Sequence, residues 1–361
     1  MTMAASKTQV SEHDNPMGLD GFEFVEFASP EPEKLALFFQ SMGFTPIAKH
    51  RSKKVTLFRQ GHINFIINEE PSSHATQFMQ SHGPCACAMA FRVKDAKKAF
   101  ERAVSLGAKP YLEGKIGKDE LQIPAIYGIG GSLLYFVDRY HHDSIYDVDF
   151  IPIPGTSQHP QGEGLDVIDH LTHNVYQGQM NKWADFYKNI FNFFEIRYFD
   201  IEGKKTGLIS YALSSPCGKI KIPLNESKDD KSQIEEYLKE YKGEGIQHIA
   251  LTTNDIYDSI EKLNAKGLKF LSTPDTYYEM VSERVKGHQE DLARMQKDQI
   301  LIDGTVTGNK ENILLQIFTE NVIGPIFFEI IQRKGNQGFG EGNFKALFEA
   351  IERDQMRRGV L

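Results

Sequence analysis

Apolar residues recur along this chain in a fixed order: a short strand-like run, a turn, a stretch at helical spacing, then further short runs. The first segment starts near Gly21, and its helix places Leu35, Phe38, Phe39 and Met42 on one face before Gly43 ends it. The second starts near Ala86. Asp95 can cap a helix with Ala96, Ala99, Phe100, Ala103 and Val104 on one side, closed by Gly107. The third starts near Asp166, with Trp183, Phe186, Tyr187, Ile190 and Phe191 at helical spacing. The fourth starts near Gly245, with Asn254 or Asp255 as cap, Ile256, Ile260 and Leu263 on one face, and Gly267 as terminator. Strand-like runs follow the helices, among them 55–58, 63–67, 133–137, 313–318 and 326–331.

The unit is therefore β-α followed by about three strands, and it occurs four times, which predicts an α+β fold. One such unit is too small to bury its sheet face alone, so the four βαβββ units pair into two halves. The stretch 141–164, with Pro152, Pro154, Gly155, Pro160 and Gly162, reads as the connection. The expected organisation is a disordered lead-in over 1–18, a non-catalytic domain over 19–150, a linker over 151–164 and a catalytic domain over 165–361. A polar insertion at about 277–303 interrupts the fourth unit, and 283–299 reads as an exposed helical excursion.

Charge narrows the partners. The formal net charge is −8, with 40% hydrophobic and 25% charged residues. A mildly acidic surface argues against nucleic acid and against anionic membrane. No run approaches the roughly 18 apolar residues of a membrane helix. The first 18 residues lack an apolar signal core. Cys85, Cys87 and Cys217 are too few and too poorly spaced for a disulfide framework or a metal knuckle. A cytoplasmic protein is expected.

Three runs in the second half carry groups that an apolar strand does not favour. His170 lies in Val167-Ile168-Asp169-His170-Leu171-Thr172-His173, and His248 in Gly245-Ile246-Gln247-His248-Ile249-Ala250-Leu251. Glu329 stands among Ile326, Phe327, Phe328, Ile330 and Ile331. Burying that carboxylate unpaired would cost several kcal/mol, and a metal ion removes the objection. Two imidazoles and one carboxylate on separate strands suit the open face of a non-haem Fe(II) oxygenase. Each residue also has an ordinary reading, as a satisfied core histidine or an ion-paired glutamate. Aligning the units favours the metal: His170 falls opposite Phe24, His248 opposite Ala88, and Glu329 near Tyr135, so one half is scaffold and the other catalytic. Strand alternation separates His170 from His173, leaving His173 a structural or supporting role. By the same alternation Gln247 faces away from His248.

His141-His142 reads as incidental loop sequence, and Gly338–Gly342 lacks the spacing of a phosphate loop. Phe344, Leu347, Phe348 and Ile351 form an apolar stripe on a last helix. It suits core packing or a lid hinged at the glycines.

The segments IDHLTHNV (168–175), GEGIQHIAL (243–251), LLQIF (314–318), FFEIIQRKG (327–335) and GFGEGNFKALFEAIERDQMRRGVL (338–361) resemble bacterial 4-hydroxyphenylpyruvate dioxygenases of the vicinal-oxygen-chelate superfamily. The resemblance spans roughly 15–361. It implies two open-barrel, glyoxalase-like domains and Fe(II) held by His170, His248 and Glu329. It also implies a substrate pocket of Ser210, Asn225, Gln233, Gln247, Gln316, Phe318, Phe339, Asn343 and Phe344. The implied reaction takes 4-hydroxyphenylpyruvate and O2 to homogentisate and CO2 by decarboxylation, ring hydroxylation and side-chain migration, within tyrosine and phenylalanine catabolism. A homo-oligomer, dimer or tetramer, is implied too. The alternatives are a hydroxymandelate synthase acting on the same substrate and a non-enzymatic small-molecule-binding protein of the same fold.

Overall fold

The computed structural model describes residues 13–114, 117–202 and 207–357. The first unit runs β1 (Phe22–Ala28), α1 (Pro32–Ser41), β2 (Thr45–His50), β3 (Val55–Gln60), β4 (Ile63–Asn68) and α2 (His74–His82). The second runs β5 (Cys85–Arg92), α3 (Ala96–Ser105), β6 (Ala125–Tyr127) and β7 (Leu133–Val137), then α4 (Ile145–Asp149) and β8 (Phe150–Pro152). The third runs β9 (Leu165–Val175), α5 (Met180–Phe191), β10 (Phe194–Glu202), β11 (Gly207–Ser214), β12 (Lys221–Ser227) and α6 (Gln233–Tyr241). The fourth runs β13 (Gly245–Thr253), α7 (Ile256–Ala265), α8 (Asp275–Glu279), α9 (Val281–Arg284), α10 (Leu292–Lys297), β14 (Leu301–Thr307), β15 (Lys310–Phe318), β16 (Phe327–Lys334) and α11 (Glu341–Arg357).

Two eight-stranded sheets result, in the orders β6-β7-β5-β1-β4-β3-β2-β8 and β10-β11-β12-β9-β13-β16-β15-β14. The first strands of paired units run antiparallel, β1 against β5 and β9 against β13, and each also lies parallel to its own unit's last strand. This is the α+β pairing that the repeat predicts, in the glyoxalase-like form that the resemblance implies. The second unit departs from it: a single bridge from Pro110 to Ile126 stands where a third strand would pair.

The caps fall on the residues that the sequence marks. Asp95 accepts from the Lys98 amide and Asp255 from the Asp258 amide, each satisfying a first-turn donor that the helix cannot. The buried helix faces and one face of each sheet form a core shared by both halves. Phe328 of β16 meets Phe38 and Phe65 of the first half at 5.8 Å each, and Phe191 meets Phe91 at 5.5 Å. The halves also touch backbone to backbone at Gly130 (φ 59°), where a Cβ would lie 1.9 Å from the Glu244 carbonyl oxygen.

Three expectations need correction. Residues 1–12 of the lead-in lie outside the described residues, but 13–18 are packed. Met17 is buried, the Asn15 side chain bonds both backbone groups of Leu19, and the His13 ring stacks on Phe194 at 3.8 Å. The connection is shorter than 141–164. Ser144 and Asp147 form a capping box on α4, and β8 pairs with β2 at the sheet edge. The insertion is not an exposed helical excursion. It holds three short helices, and Tyr277, Tyr278, Val281, Val285 and Met295 are buried. Their irregular spacing hides the apolar face that seats α11. The Thr276 hydroxyl donates to the Ala350 carbonyl at 2.6 Å, and the Gly342 amide donates to Asp303 at 2.8 Å.

Candidate metal centre

Strands β9, β13 and β16 are neighbours, and their register puts His170, Ala250 and Glu329 in one row across the sheet, with His248 two residues before Ala250. The side chains of His170, His248 and Glu329 share the concave face. His170 Nε2 stands 3.1 Å from Glu329 Oε2 and 3.3 Å from His248 Nε2, and His248 Nε2 stands 3.6 Å from that oxygen. Ligands cis to one another on an octahedron with bonds of about 2.1 Å stand about 3 Å apart. The three atoms therefore suit one face of such an ion. Glu329 Oε1 is buried without a hydrogen-bond partner among the described residues. A cation held at the cluster would supply what that oxygen lacks.

The other imidazole nitrogens are engaged. His170 Nδ1 bonds Asp169 Oδ1 at 2.8 Å and His248 Nδ1 bonds Gln247 Oε1 at 3.0 Å. With Nδ1 donating, each Nε2 presents a lone pair to the shared point. Alternation alone would turn both partners away. The β9–β13 ladder, however, slips by one residue at each: between Ile246 and His248 on β13, and opposite Ala250/Leu251 on β9, where Asp169 is the extra residue. Two β-bulges re-aim these side chains toward the histidines they orient. The expectation that Gln247 faces away from His248 is overturned by its bulge.

Asp169 is itself clamped. Arg333 donates to it through Nε at 2.8 Å and a terminal nitrogen at 2.7 Å, with Lys221 Nζ at 3.6 Å. Burial opposes its charge, but the Arg333 guanidinium outweighs burial and holds the Asp169 carboxyl well below the usual range. Burial holds His248 far below the usual imidazole range, so it stays the neutral form a metal takes. Asp169→Asn removes the charge but not the shape. It is expected to weaken metal affinity 10- to 100-fold (about 1.4–2.7 kcal/mol) in a chelator-competition titration. Unchanged affinity would deny Asp169 its orienting role.

His173 is turned from the cluster. Its Nε2 bonds the Tyr187 hydroxyl at 2.7 Å, and burial takes its pKa down to about 3. Thr172, not singled out in the sequence, places its hydroxyl 2.9 Å from His248 Nε2. Phe327 stacks on His248 at 4.9 Å, and Phe339 meets the His170 ring edge-on at 5.1 Å.

The remaining site candidates flank the three strands. On one side Ser210 and Asn225 are cross-strand partners on β11 and β12. Gln233 opens α6 and is exposed. On the other side Phe318 pairs with Glu329 and Gln316 with Ile331. Gln316 Oε1 accepts from Asn343 at 3.2 Å, and Asn343 Oδ1 accepts from the Tyr277 hydroxyl at 2.6 Å and from Arg284 at 3.1 Å. Nothing in the residue pattern of the insertion signals that Tyr277 and Arg284 brace a site residue. Gly340 (φ 75°) passes Gln316 so closely that a Cβ would overlap its amide. Phe344 is half exposed. The side chains of Phe348 and Ile351 lie outside the described residues.

Residues 13–151 match a family profile described as hydroxyphenylpyruvate dioxygenase, N-terminal, and 167–283 one described as the Glyoxalase/Bleomycin resistance protein/Dioxygenase superfamily. The chain is 61% identical over 353 residues to a 4-hydroxyphenylpyruvate dioxygenase of Pseudomonas aeruginosa, spanning 97% of this chain and 98% of that one. It belongs to the 4-hydroxyphenylpyruvate dioxygenase family. It is also 60% identical over 352 residues to hemolysin VllY of Vibrio vulnificus, spanning 96% of this chain and 98% of that protein. A solved mutant 4-hydroxymandelate synthase from Streptomyces coelicolor superposes with a TM-score of 0.79 at 26% identity, covering 94% of this chain and all of that one. Among 4-hydroxyphenylpyruvate dioxygenases, then, this member carries its His-His-Glu cluster in the second half, while the corresponding row of the first half reads Phe24, Ala90 and Tyr135.

Proposed function

We propose that the chain is an Fe(II)-dependent dioxygenase converting 4-hydroxyphenylpyruvate and O2 to homogentisate and CO2. The observation that carries the reading is the convergence of His170, His248 and Glu329 on one point, in a chain of this family. Iron held there would supply the redox chemistry that activates dioxygen and the positive charge that receives the 2-keto acid.

The protein's own part is placement. Asp169 and Gln247 fix the two imidazoles, and Arg333 fixes Asp169. Ser210, Asn225 and Gln316 offer hydroxyl and amide groups to the phenol or the keto acid, and Asn343 holds Gln316 in orientation. Phe318 and Phe339 wall the ring, each aromatic pair contributing about 0.5–1.5 kcal/mol beyond area burial. Gln233 and Phe344 stand exposed, and an inward movement of the first turn of α6 and the start of α11 would bring them onto substrate. Closure of that kind excludes water from the reacting centre. Among the described residues no helix is long and apolar enough to cross a membrane. The resemblance adds a cytoplasmic place in tyrosine and phenylalanine catabolism and a dimeric or tetrameric assembly.

The test is anaerobic reconstitution with Fe(II), then oxygen uptake and product identification. The expected result is one homogentisate per O2 consumed. Hydroxymandelate as product would reassign the reaction to the sister chemistry. A protein that holds the keto acid but takes up no iron would be a binding protein.

A further inference from the structure

The first half keeps a cavity where the second half has its metal centre. It measures about 530 Å³, within the range of roughly 300–1,000 Å³ typical of small-molecule sites. It lies on the concave face of the first sheet, against Phe24, Glu26, Asn68 and Tyr135. Register makes the correspondence exact enough to read residue by residue. Phe24, Ala90 and Tyr135 occupy the row that His170, Ala250 and Glu329 occupy in the other sheet, and Ala88 stands for His248. By the same register Asn68 on β4 stands where Asn225 stands on β12. The metal-binding groups are replaced by the Phe24 and Tyr135 rings, which meet at 5.6 Å, and the cavity opens beside them.

What remains has a definite chemistry. Glu26 is 7% exposed, and its carboxylate has one hydrogen-bond donor among the described residues, the Asn68 amide at 2.5 Å. The nearby Lys53 ammonium is taken by Glu120 at 2.7 Å. Burial accordingly pushes the Glu26 carboxyl up, with Asn68 and Lys53 only partly offsetting it. The walls are Phe24, Phe100, Tyr111, Tyr135 and Phe150. A buried carboxylate with one amide donor, in a cavity lined in part by aromatic rings, is complementary to an organic cation carrying an aromatic ring. It is opposed to a carboxylate-bearing ligand such as the keto acid.

We propose that this cavity is a second, metal-free binding site for a monocyclic arylalkylammonium ion, its ammonium on the Glu26 carboxylate and its ring against the Phe24–Tyr135 pair. The site is separate from the catalytic reading and stands whether or not that reading holds.

The probe is phenethylamine, with 3-phenylpropionate as the anion of similar size and shape, titrated calorimetrically into the full chain. Wild-type protein should bind the amine at least 10-fold more tightly than the anion. Glu26→Gln, which keeps the shape and the contact to Asn68, should weaken the amine at least 10-fold without changing turnover. Glu329→Ala should leave amine binding unchanged. Val55→Phe, at the cavity wall, should block the amine even if Glu26→Gln fails to fold. Hydrogen-exchange protection by the amine should fall on β1 and β4. Equal affinity for amine and anion, undiminished binding in Glu26→Gln or Val55→Phe, or protection on β9 and β13 instead would overturn the proposal.

Discussion

Glu329→Ala is expected to abolish turnover while leaving the fold intact, and His248→Ala to do the same. Glu329 sits 2% exposed beside two imidazoles, so its loss removes the only charged donor of the cluster. Loss of the one anionic ligand of three is expected to weaken metal affinity at least 100-fold, about 2.7 kcal/mol. The check is iron stoichiometry and oxygen uptake on the purified variants, with circular dichroism as the control for folding. His173→Ala provides the contrast. It leaves the Tyr187 hydroxyl without its partner and lowers stability by about 1–3 kcal/mol, yet should retain measurable activity. An active His170→Ala beside an inactive, iron-free His173→Ala would reverse the ligand choice.

Phe328→Ala is expected to destabilise the whole chain by about 3–5 kcal/mol. The reason is alternation along β16. Glu329 points to the concave face, while Phe328, fully buried, points the other way into the rings of Phe38 and Phe65 from the first half. One strand thus carries a metal-site carboxylate on one face and the contact between the halves on the other. The measurement is the urea unfolding midpoint with its slope. A loss under about 1 kcal/mol would mean that the cavity collapses readily or that the halves do not share a cooperative core.

The parts of this structure that were legible in the sequence are those governed by period. Helices at Leu35, Ala96, Trp183 and Ile256 are visible because each buries one stripe, and strands at 63–67 or 326–331 because each is a short, mainly apolar run. Repetition of the unit then exposed His170, His248 and Glu329 as the odd residues out. What was not legible depends on departures from period. Asp169 and Gln247 reach their histidines through bulges, and a bulge in β9 or β13 has no signature in the residues themselves. Tyr277, Val281 and Met295 are buried where α8 packs on α11 and α9 and α10 pack on α8, so their spacing follows a tertiary surface rather than a helical face. Met17 is likewise buried by tertiary packing, in a segment whose polar composition reads as a tail.

The most direct test of the central claim is anomalous diffraction at the iron edge from crystals grown anaerobically with Fe(II). The account predicts one strong peak about 2.1 Å from His170 Nε2, His248 Nε2 and a Glu329 carboxylate oxygen. A peak bound by other side chains, or none beside these three at full iron loading, would contradict it.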